Sequence, residues 1–270
     1  VCGVSGSGKS SLMLGAFKEE YPNAIVVGQG SIGISSRSTL ATYMGIMDRV
    51  RSIFAKKTKQ PAGLFSFNSL GKCPVCRGKG VITPDVAFAD PITTTCESCE
   101  GTKYSQEALS YTFSGKNIVE ILRLTIEEAI DFFQDDTITK KIMTLQDVGL
   151  GYLTLGQTTS SLSGGELQRL KLASYLQEEG QIYVLDEPSL GLHGQDNARL
   201  LNVFQRLVDK GNSVILIEHN LHFIRASDWI IELGPGSGKL GGTVVFEGTP
   251  KDMAQANTLT AKWLRLRMDE

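Results

Sequence analysis

No stretch of the 270-residue sequence is long and apolar enough to cross a bilayer as a helix, which excludes a chain threaded through a membrane in that form. Net charge is equally lacking. Twenty-seven Lys+Arg stand against 29 Asp+Glu, a formal balance of −2, so any grip on nucleic acid has to come from a local patch. There is no charged-then-apolar opening of the secretory type, no repeat of solenoid length and no low-complexity tract. Cysteine is scarce, with five in all. They do not form a spaced disulfide framework, because four fall in two Cys-x-x-Cys pairs, and a reducing, cytoplasmic setting is the expectation. What is present, 41% hydrophobic residues gathered into distinct runs, excludes a disordered chain and fits one large domain or a core domain carrying an insertion.

Apolar runs at Ala24–Val27, Ile182–Leu185, Val214–Ile217 and Trp229–Leu233 read as strands. Helical segments are expected over 11–17, over 166–177 and near 196–210, the last ended by Gly211. Asn117 can cap one further helix, and Thr125-x-x-Glu128 reads as a capping box for another. Continuous apolar strands alternating with helices predict an α/β fold with a parallel sheet. The chain opens at Val1 with no Met, and a glycine-rich loop begins two residues later, so the strand that normally precedes such a loop is expected to be missing and the sequence to be a fragment.

That loop carries the first chemistry. Gly3, Gly8, Lys9 and Ser10 satisfy G-x-x-x-x-G-K-[ST], with Ser5, Gly6 and Ser7 inside the loop and Ser11 following it. Glycines let backbone N–H groups turn inward on phosphate oxygens at a helix N-terminus, where the helix dipole favours negative charge. Lys9 would reach the β- and γ-phosphates of ATP, and Ser10 would ligate Mg²⁺. The run Ile182–Leu185 ends in Asp186 and Glu187, placed to hold Mg²⁺ and to orient the attacking water. Leu162-Ser163-Gly164-Gly165-Glu166, ahead of a helix, offers a second anion cradle, so that two cradles could close on one nucleotide from opposite sides.

Cys73 and Cys76, then nineteen residues, then Cys96 and Cys99, match C-x₂-C-x₁₅₋₂₀-C-x₂-C. Four soft thiolates suit tetrahedral Zn²⁺, and with every position filled such a site is structural. Gly78, Gly80 and Gly101 are placed to let the chain turn tightly round the metal. Cys2 is left over as a small buried residue. No heptad pattern flanks either pair, which excludes a zinc-hook coiled coil. Eight bases, Arg49, Arg51, Lys56, Lys57, Lys59, Lys72, Arg77 and Lys79, crowd residues 48–80 against the single acid Asp48, while 81–136 holds eleven acids and three bases. Lys/Arg clusters of this kind neutralise phosphates, so the eight are candidate contacts to duplex DNA.

The motif set resembles the ABC ATPase superfamily. The resemblance makes Leu162–Glu166 the signature segment, Gln29 the Q-loop glutamine, Glu218-His219-Asn220 the switch-histidine segment and 189–193 the D-loop, in which His193 has an interface role. It implies that Glu187, His219 and Gln29 act in catalysis. It also implies that Ser163, Gly164 and Gly165 act in trans on the phosphate loop of a second ABC half, from a partner chain or from upstream sequence. A zinc module between Q-loop and signature is similar to the UvrA family of bacterial nucleotide excision repair. Ser36–Tyr43, Phe65–Asn68, Gly115–Asn117, Asp147–Tyr152 and Asp228–Ile231 carry that likeness over nearly the whole chain. Two departures stand out. Only nineteen residues separate Lys9 from Gln29, so partner-binding insertions are absent there, and Val86–Pro91 with Pro188–His193 look closer to shorter paralogues linked to self-resistance against DNA-damaging compounds.

The resulting expectation is an ABC-type P-loop core over 1–47 and 161–270, interrupted by a basic zinc module over 48–116 and a helical signature subdomain over 117–160. The implied function is a DNA-binding ATPase with ATP, Mg²⁺ and Zn²⁺ that joins other excinuclease subunits and has no nuclease site of its own. The competing expectations are the resistance paralogue and the energy subunit of a transporter.

Overall fold

The computed structural model describes residues 1–28, 37–83, 93–176, 180–192 and 194–266. Gln29, His193 and the segment Val86–Pro91 lie outside the described residues. Eight strands are described: β1 (Cys2–Gly3), β2 (Ile25–Val27), β3 (Val81–Ile82), β4 (Thr94–Thr95), β5 (Ile182–Asp186), β6 (Ser213–Ile217), β7 (Ile230–Gly234) and β8 (Thr243–Gly248). The chain divides into two compact units. One gathers Val1–Ile32, Asp147–Leu150 and Ser163–Glu270, the other Gly33–Gln146 and Gly151–Leu162.

The first unit is the α/β core. Strands β2, β5 and β6 run parallel in that order, with Ile25 opposite Tyr183 and Tyr183 opposite Val214. β1 pairs parallel with β7, and β8 returns antiparallel along the other side of β7. A strand was expected to be missing ahead of the glycine-rich loop, and β1 stands there, two residues long. Its backbone is used on both sides: Cys2 and Gly3 pair with Glu232 and Leu233, while Val1 donates to the Leu216 carbonyl and accepts from the Glu218 amide. The apolar runs were sufficient to locate β2, β5, β6 and β7. β8 was not anticipated, because as an edge strand it leaves Val244 and Val245 exposed and has no core-facing alternation to advertise it.

After the loop the chain enters a helical stretch, Ser11–Ala16 continuing as Phe17–Glu20, which buries Met13 against Ala24, Val184 and Ile217. The helix Gly194–Asp209 ends where Gly211 takes φ 82°, a conformation that only glycine adopts without strain. The helix Gly164–Tyr175 is anchored through buried Gln168, whose amide donates to the carbonyls of Val27 and Asp186 and so ties the helix to the ends of β2 and β5.

The second unit is helical and aromatic. Helix Ile46–Thr58 buries Phe54 against Phe65 (ring centroids 4.7 Å apart), and the seam continues through Phe113 to Phe132 and Phe133. Both expected caps form, the Asn117 one as a full capping box with Glu120 and the Thr125 one with Glu128. Residues 38–41 join this unit rather than the core because their backbone pairs with the 155–159 segment: Leu40 donates to Gln157, Ala41 to Leu155, and Thr159 to Ser38. Described residues 37–47 thus group with the second unit, although the expected boundary fell at 47/48, and the Phe113–Phe132 contact spans the expected 116/117 boundary.

Candidate nucleotide site and metal centre

The glycine-rich loop is shaped by its left-handed residues. Gly3, Gly6 and Gly8 take φ 130°, 75° and 98°, and a Cβ at Gly3 would stand 2.0 Å from the Leu233 carbonyl oxygen. The loop is held from outside by a second glycine-rich turn after β7, in which Gly238 donates to the Gly6 carbonyl and Gly242 to that of Ser7. Sequence reasoning missed this turn. Its signal, Gly-Pro-Gly-Ser-Gly over 234–238 and Gly241-Gly242, reads as an ordinary loop until its partner is known. Lys9 Nζ donates to the carbonyls of Gly3 and Val4, which curls the cation back over the loop it would serve. Ser5, Gly6, Ser10 and Ser11 are exposed along the rim, while Ser7 is buried.

Opposite the loop, Ser10 Oγ comes to 3.5 Å from Asp186 Oδ2. Burial, followed by the negative charge of Glu187, raises the Asp186 carboxyl above its ordinary range. A hydroxyl and a carboxylate converging beside further acid groups form the hard-oxygen set that suits Mg²⁺. Glu187 sits at φ 49°, uncommon for a residue with a side chain, and its amide is fixed to the Ile217 carbonyl. Its Oε1 lies 3.7 Å from Nδ1 of His219, and both side chains remain open to solvent. The carboxylate expected to orient water and the switch histidine are thus brought together, one from the end of β5 and the other from the end of β6.

Glu218, beside His219, was quoted in the sequence without a role. It is 2% exposed. Its Oε1 accepts from the Ser189 amide, and its Oε2 accepts from those of His219 and Asn220. No composition or spacing signal distinguishes such a buried carboxylate from a solvated one at a strand end.

Ser163 caps the helix Gly164–Tyr175 in a full capping box: its hydroxyl accepts from the Glu166 amide, and Glu166 Oε2 accepts from the Ser163 amide. The Ser-x-x-Glu spacing at 163–166 is the sequence signature of that box. Ser163 and Gly164 are exposed at the helix start. Gly165 abuts the Leu190 carbonyl, where a Cβ would come to 2.8 Å.

In the second unit the sulfurs of Cys73, Cys76, Cys96 and Cys99 all lie within 4.8 Å of one another, and all four residues are buried. Cys73 and Cys96 are 4.0 Å apart, Cys76 and Cys99 3.6 Å. Zinc–sulfur bonds of about 2.3 Å in a tetrahedron require sulfurs about 3.8 Å apart, so the donor set fits Zn²⁺. Burial opposes ionisation of the Cys73 thiol, but hydrogen bonds from the Cys76 and Val75 amides and the Cys76 and Ser98 side chains together outweigh it and bring it down to about 6. The two knuckles are stitched reciprocally, Cys73 N–H to the Lys103 carbonyl and Cys96 N–H to that of Gly80. Gly78, Gly80 and Gly101 take φ near 80°, and a Cβ at Gly78 would sit 2.0 Å from the Phe67 carbonyl oxygen. Cys2 stands apart in the core unit, 2% exposed, with its thiol pushed up to about 11 by burial.

The eight basic residues fall into two groups. Arg49 pairs with Asp135 at 2.8 Å and Arg51 with Asp48 at 2.6 Å. Lys56, Lys57 and Lys59 are exposed at the end of helix Ile46–Thr58. Lys72, Arg77 and Lys79 are also exposed, and along 71–80 the cysteines and glycines face in while these bases face out.

Fold and nucleotide site together define an ABC-type nucleotide-binding domain, and the model of the ABC transporter family matches residues 1–190. The chain is 44% identical to UvrABC system protein A of Aquifex aeolicus, over 98% of this chain and 32% of that protein, and 43% identical to that of Staphylococcus aureus over the same shares. The crystal structure of UvrA2 from Deinococcus radiodurans superposes with a TM-score of 0.87 at 42% identity, covering 98% of this chain and 36% of that one. The chain belongs to the UvrA family of ABC ATPases and spans about a third of the length of the relatives it matches. The transporter reading is not favoured, and among the described residues no helix is long and apolar enough to cross a membrane.

Proposed function

We propose that this chain supplies an ATP-hydrolysing half-site and a zinc-braced DNA-contacting surface to a UvrA-type protein of nucleotide excision repair, working in the cytoplasm with other excinuclease subunits. The observation that carries the reading is the convergence of Ser10 with Asp186 and of Glu187 with His219 around the glycine-rich loop, in a chain that also builds a four-thiolate centre. ATP lies along Gly3–Ser11, and Lys9 exchanges the Gly3 and Val4 carbonyls for the β- and γ-phosphates. Mg²⁺, held by Ser10 and Asp186, would neutralise charge on the phosphate oxygens. Glu187 accepts a hydrogen bond from a water and aligns it with the γ-phosphorus. The water oxygen bonds to phosphorus, the bond to the β–γ bridging oxygen breaks, ADP departs, and the water's proton passes by way of Glu187 to the released phosphate. His219 steadies the Glu187 carboxylate. The helix start at Ser163, Gly164 and Gly165 serves the phosphates bound by a second ABC half, and Gln29 would report nucleotide to the rest of the protein. Nucleotide closure and opening in turn change the hold of the zinc-braced surface on duplex DNA.

The test is a titration of the protein onto matched duplexes, one bearing a bulky adduct and one intact, with ATP and across a salt series. Tighter, ATP-dependent binding to the adducted duplex is expected. Equal binding to both would overturn damage recognition, and no binding at low salt would overturn the DNA role.

A further inference from the structure

The carboxylate of Glu218 is buried and fully engaged, yet it holds together two loops that the proposed chemistry needs in register. Its Oε1 accepts from the Ser189 amide at 2.9 Å, two residues past Glu187. Its Oε2 accepts from the amides of His219 and Asn220 at 3.1 and 3.2 Å. The first loop leaves β5 and the second leaves β6. The Glu187 amide is tied to the Ile217 carbonyl, the Leu190 amide to the Glu187 carbonyl, and the Glu218 amide to Val1 immediately ahead of the phosphate loop. Pro188 has no N–H to offer, so the Ser189 amide is the first donor after Glu187 through which the loop can be fixed.

Glu187 itself stands at φ 49°, which the surrounding bonds must enforce. Three N–H donors converge on one carboxylate inside the protein, where such charge-assisted bonds are strong. The β5–β6 pairing and the Glu187–Ile217 bond bring the two strand ends together, and the carboxylate adds a side-chain tie between the loops that leave them. Across that tie Glu187 Oε1 stands 3.7 Å from His219 Nδ1.

We infer that Glu218 is a positioning residue for ATP hydrolysis, a carboxylate clamp that sets the water-orienting Glu187 and the switch His219 at working distance. This rests on the proposed ATPase reading and deepens it. Glu218 is 2% exposed and its carboxylate is taken up by backbone amides. It acts through backbone amides, so its loss affects the step that needs alignment and spares nucleotide binding, which depends on Gly3–Ser11. Misplacement of a reacting group by about 1 Å costs about a hundredfold in rate.

Glu218→Gln keeps the shape but gives one arm of the clamp an N–H₂ that faces an N–H donor. The expected result is a fall in kcat, per mole of bound nucleotide, of about ten- to a hundredfold, with KM for ATP and the thermal midpoint near wild type. In a His219→Ala background the same change should cost clearly less than it does alone, because the two act as a unit. Unchanged kcat in Glu218→Gln would overturn the inference. So would equal costs in both backgrounds, which is the signature of a merely structural carboxylate. Should Glu218→Gln fail to fold, Glu218→Asp, which keeps the charge and shortens its reach, enters the same cycle with the same two readings. A wild-type protein without ATP turnover would remove the parent reading, whereas normal wild-type turnover beside an unaltered variant removes this inference alone.

Discussion

Glu187 presents its carboxylate from a left-handed backbone beside a histidine, with its own charge helping to raise the neighbouring Asp186. Glu187→Gln is isosteric and keeps the loop, so nucleotide affinity should stay near wild type while phosphate release slows by about 10²–10⁴-fold, the usual worth of a positioned base. Turnover at the wild-type rate would remove Glu187 from its role. A second test concerns the turn that braces the phosphate loop. At Gly241 a Cβ would stand 2.9 Å from Cα of Ser7 and 3.1 Å from the Gly236 carbonyl oxygen, and backbone cannot yield as a flexible side chain can. Gly241→Ala should therefore weaken ATP binding by about tenfold, or ~1.4 kcal/mol, in a fluorescent-nucleotide titration. At this scale the sequence was legible wherever chemistry demands a residue type at a fixed spacing, as at Lys9, Ser10, Asp186, Glu187 and the cysteines. It was silent on Glu218, whose carboxylate meets the Ser189 amide only once β5 and β6 lie side by side, and on the 234–242 turn, whose partners Gly6 and Ser7 are over 200 residues distant.

Among the elements, the four-cysteine knuckle shows how a short segment with little apolar material is stabilised. Its two strands, β3 and β4, are two residues each and exposed, too short to hold by pairing alone. What holds the segment is the thiolate cluster below, the carbonyl stitches, and the edge-on contact of Phe67 with Tyr104. Cys73→Ser should lower bound zinc, read by elemental analysis, and loosen the segment, read as faster proteolysis within 71–104. Unchanged metal content would refute the four-thiolate assignment. Gly78→Ala is the independent check, since it leaves every sulfur in place. Its backbone lies at φ 80°, and the added carbon would overlap the Phe67 carbonyl, so stability should fall by about 1–2 kcal/mol from the left-handed conformation alone, with more from the overlap. The strands of the core were readable because burial from both sides leaves continuous apolar runs. β3, β4 and β8 were not, because exposed or two-residue strands carry no period to detect.

For the whole molecule, the near-neutral balance makes local arrangement decisive, and the structure sorts the eight bases of 48–80 by how free they are to meet phosphate. Arg49 and Arg51 already face Asp135 and Asp48, and exposed pairs of this kind are weak, so their charge is muted rather than cancelled. Lys72, Arg77 and Lys79 project from a frame whose alternation turns the cysteines inward and the bases outward. The grouping by sequence position alone treated all eight alike, because nothing in a run of bases reveals an acid brought in from eighty-six residues away. The difference can be measured. Each phosphate neutralised on duplex DNA contributes about −0.9 to the slope of log affinity against log salt. Replacing Lys72, Arg77 and Lys79 by Ala should therefore flatten that slope by about 2 to 3, with zinc content retained because no ligand is touched. Replacing Arg49 and Arg51 should flatten it by less per residue. Equal effects per residue would mean that the ion pairs open on DNA and that helix Ile46–Thr58 shares the contact surface. No change in either variant would place the duplex elsewhere on the protein and leave the basic segment as a solvated face.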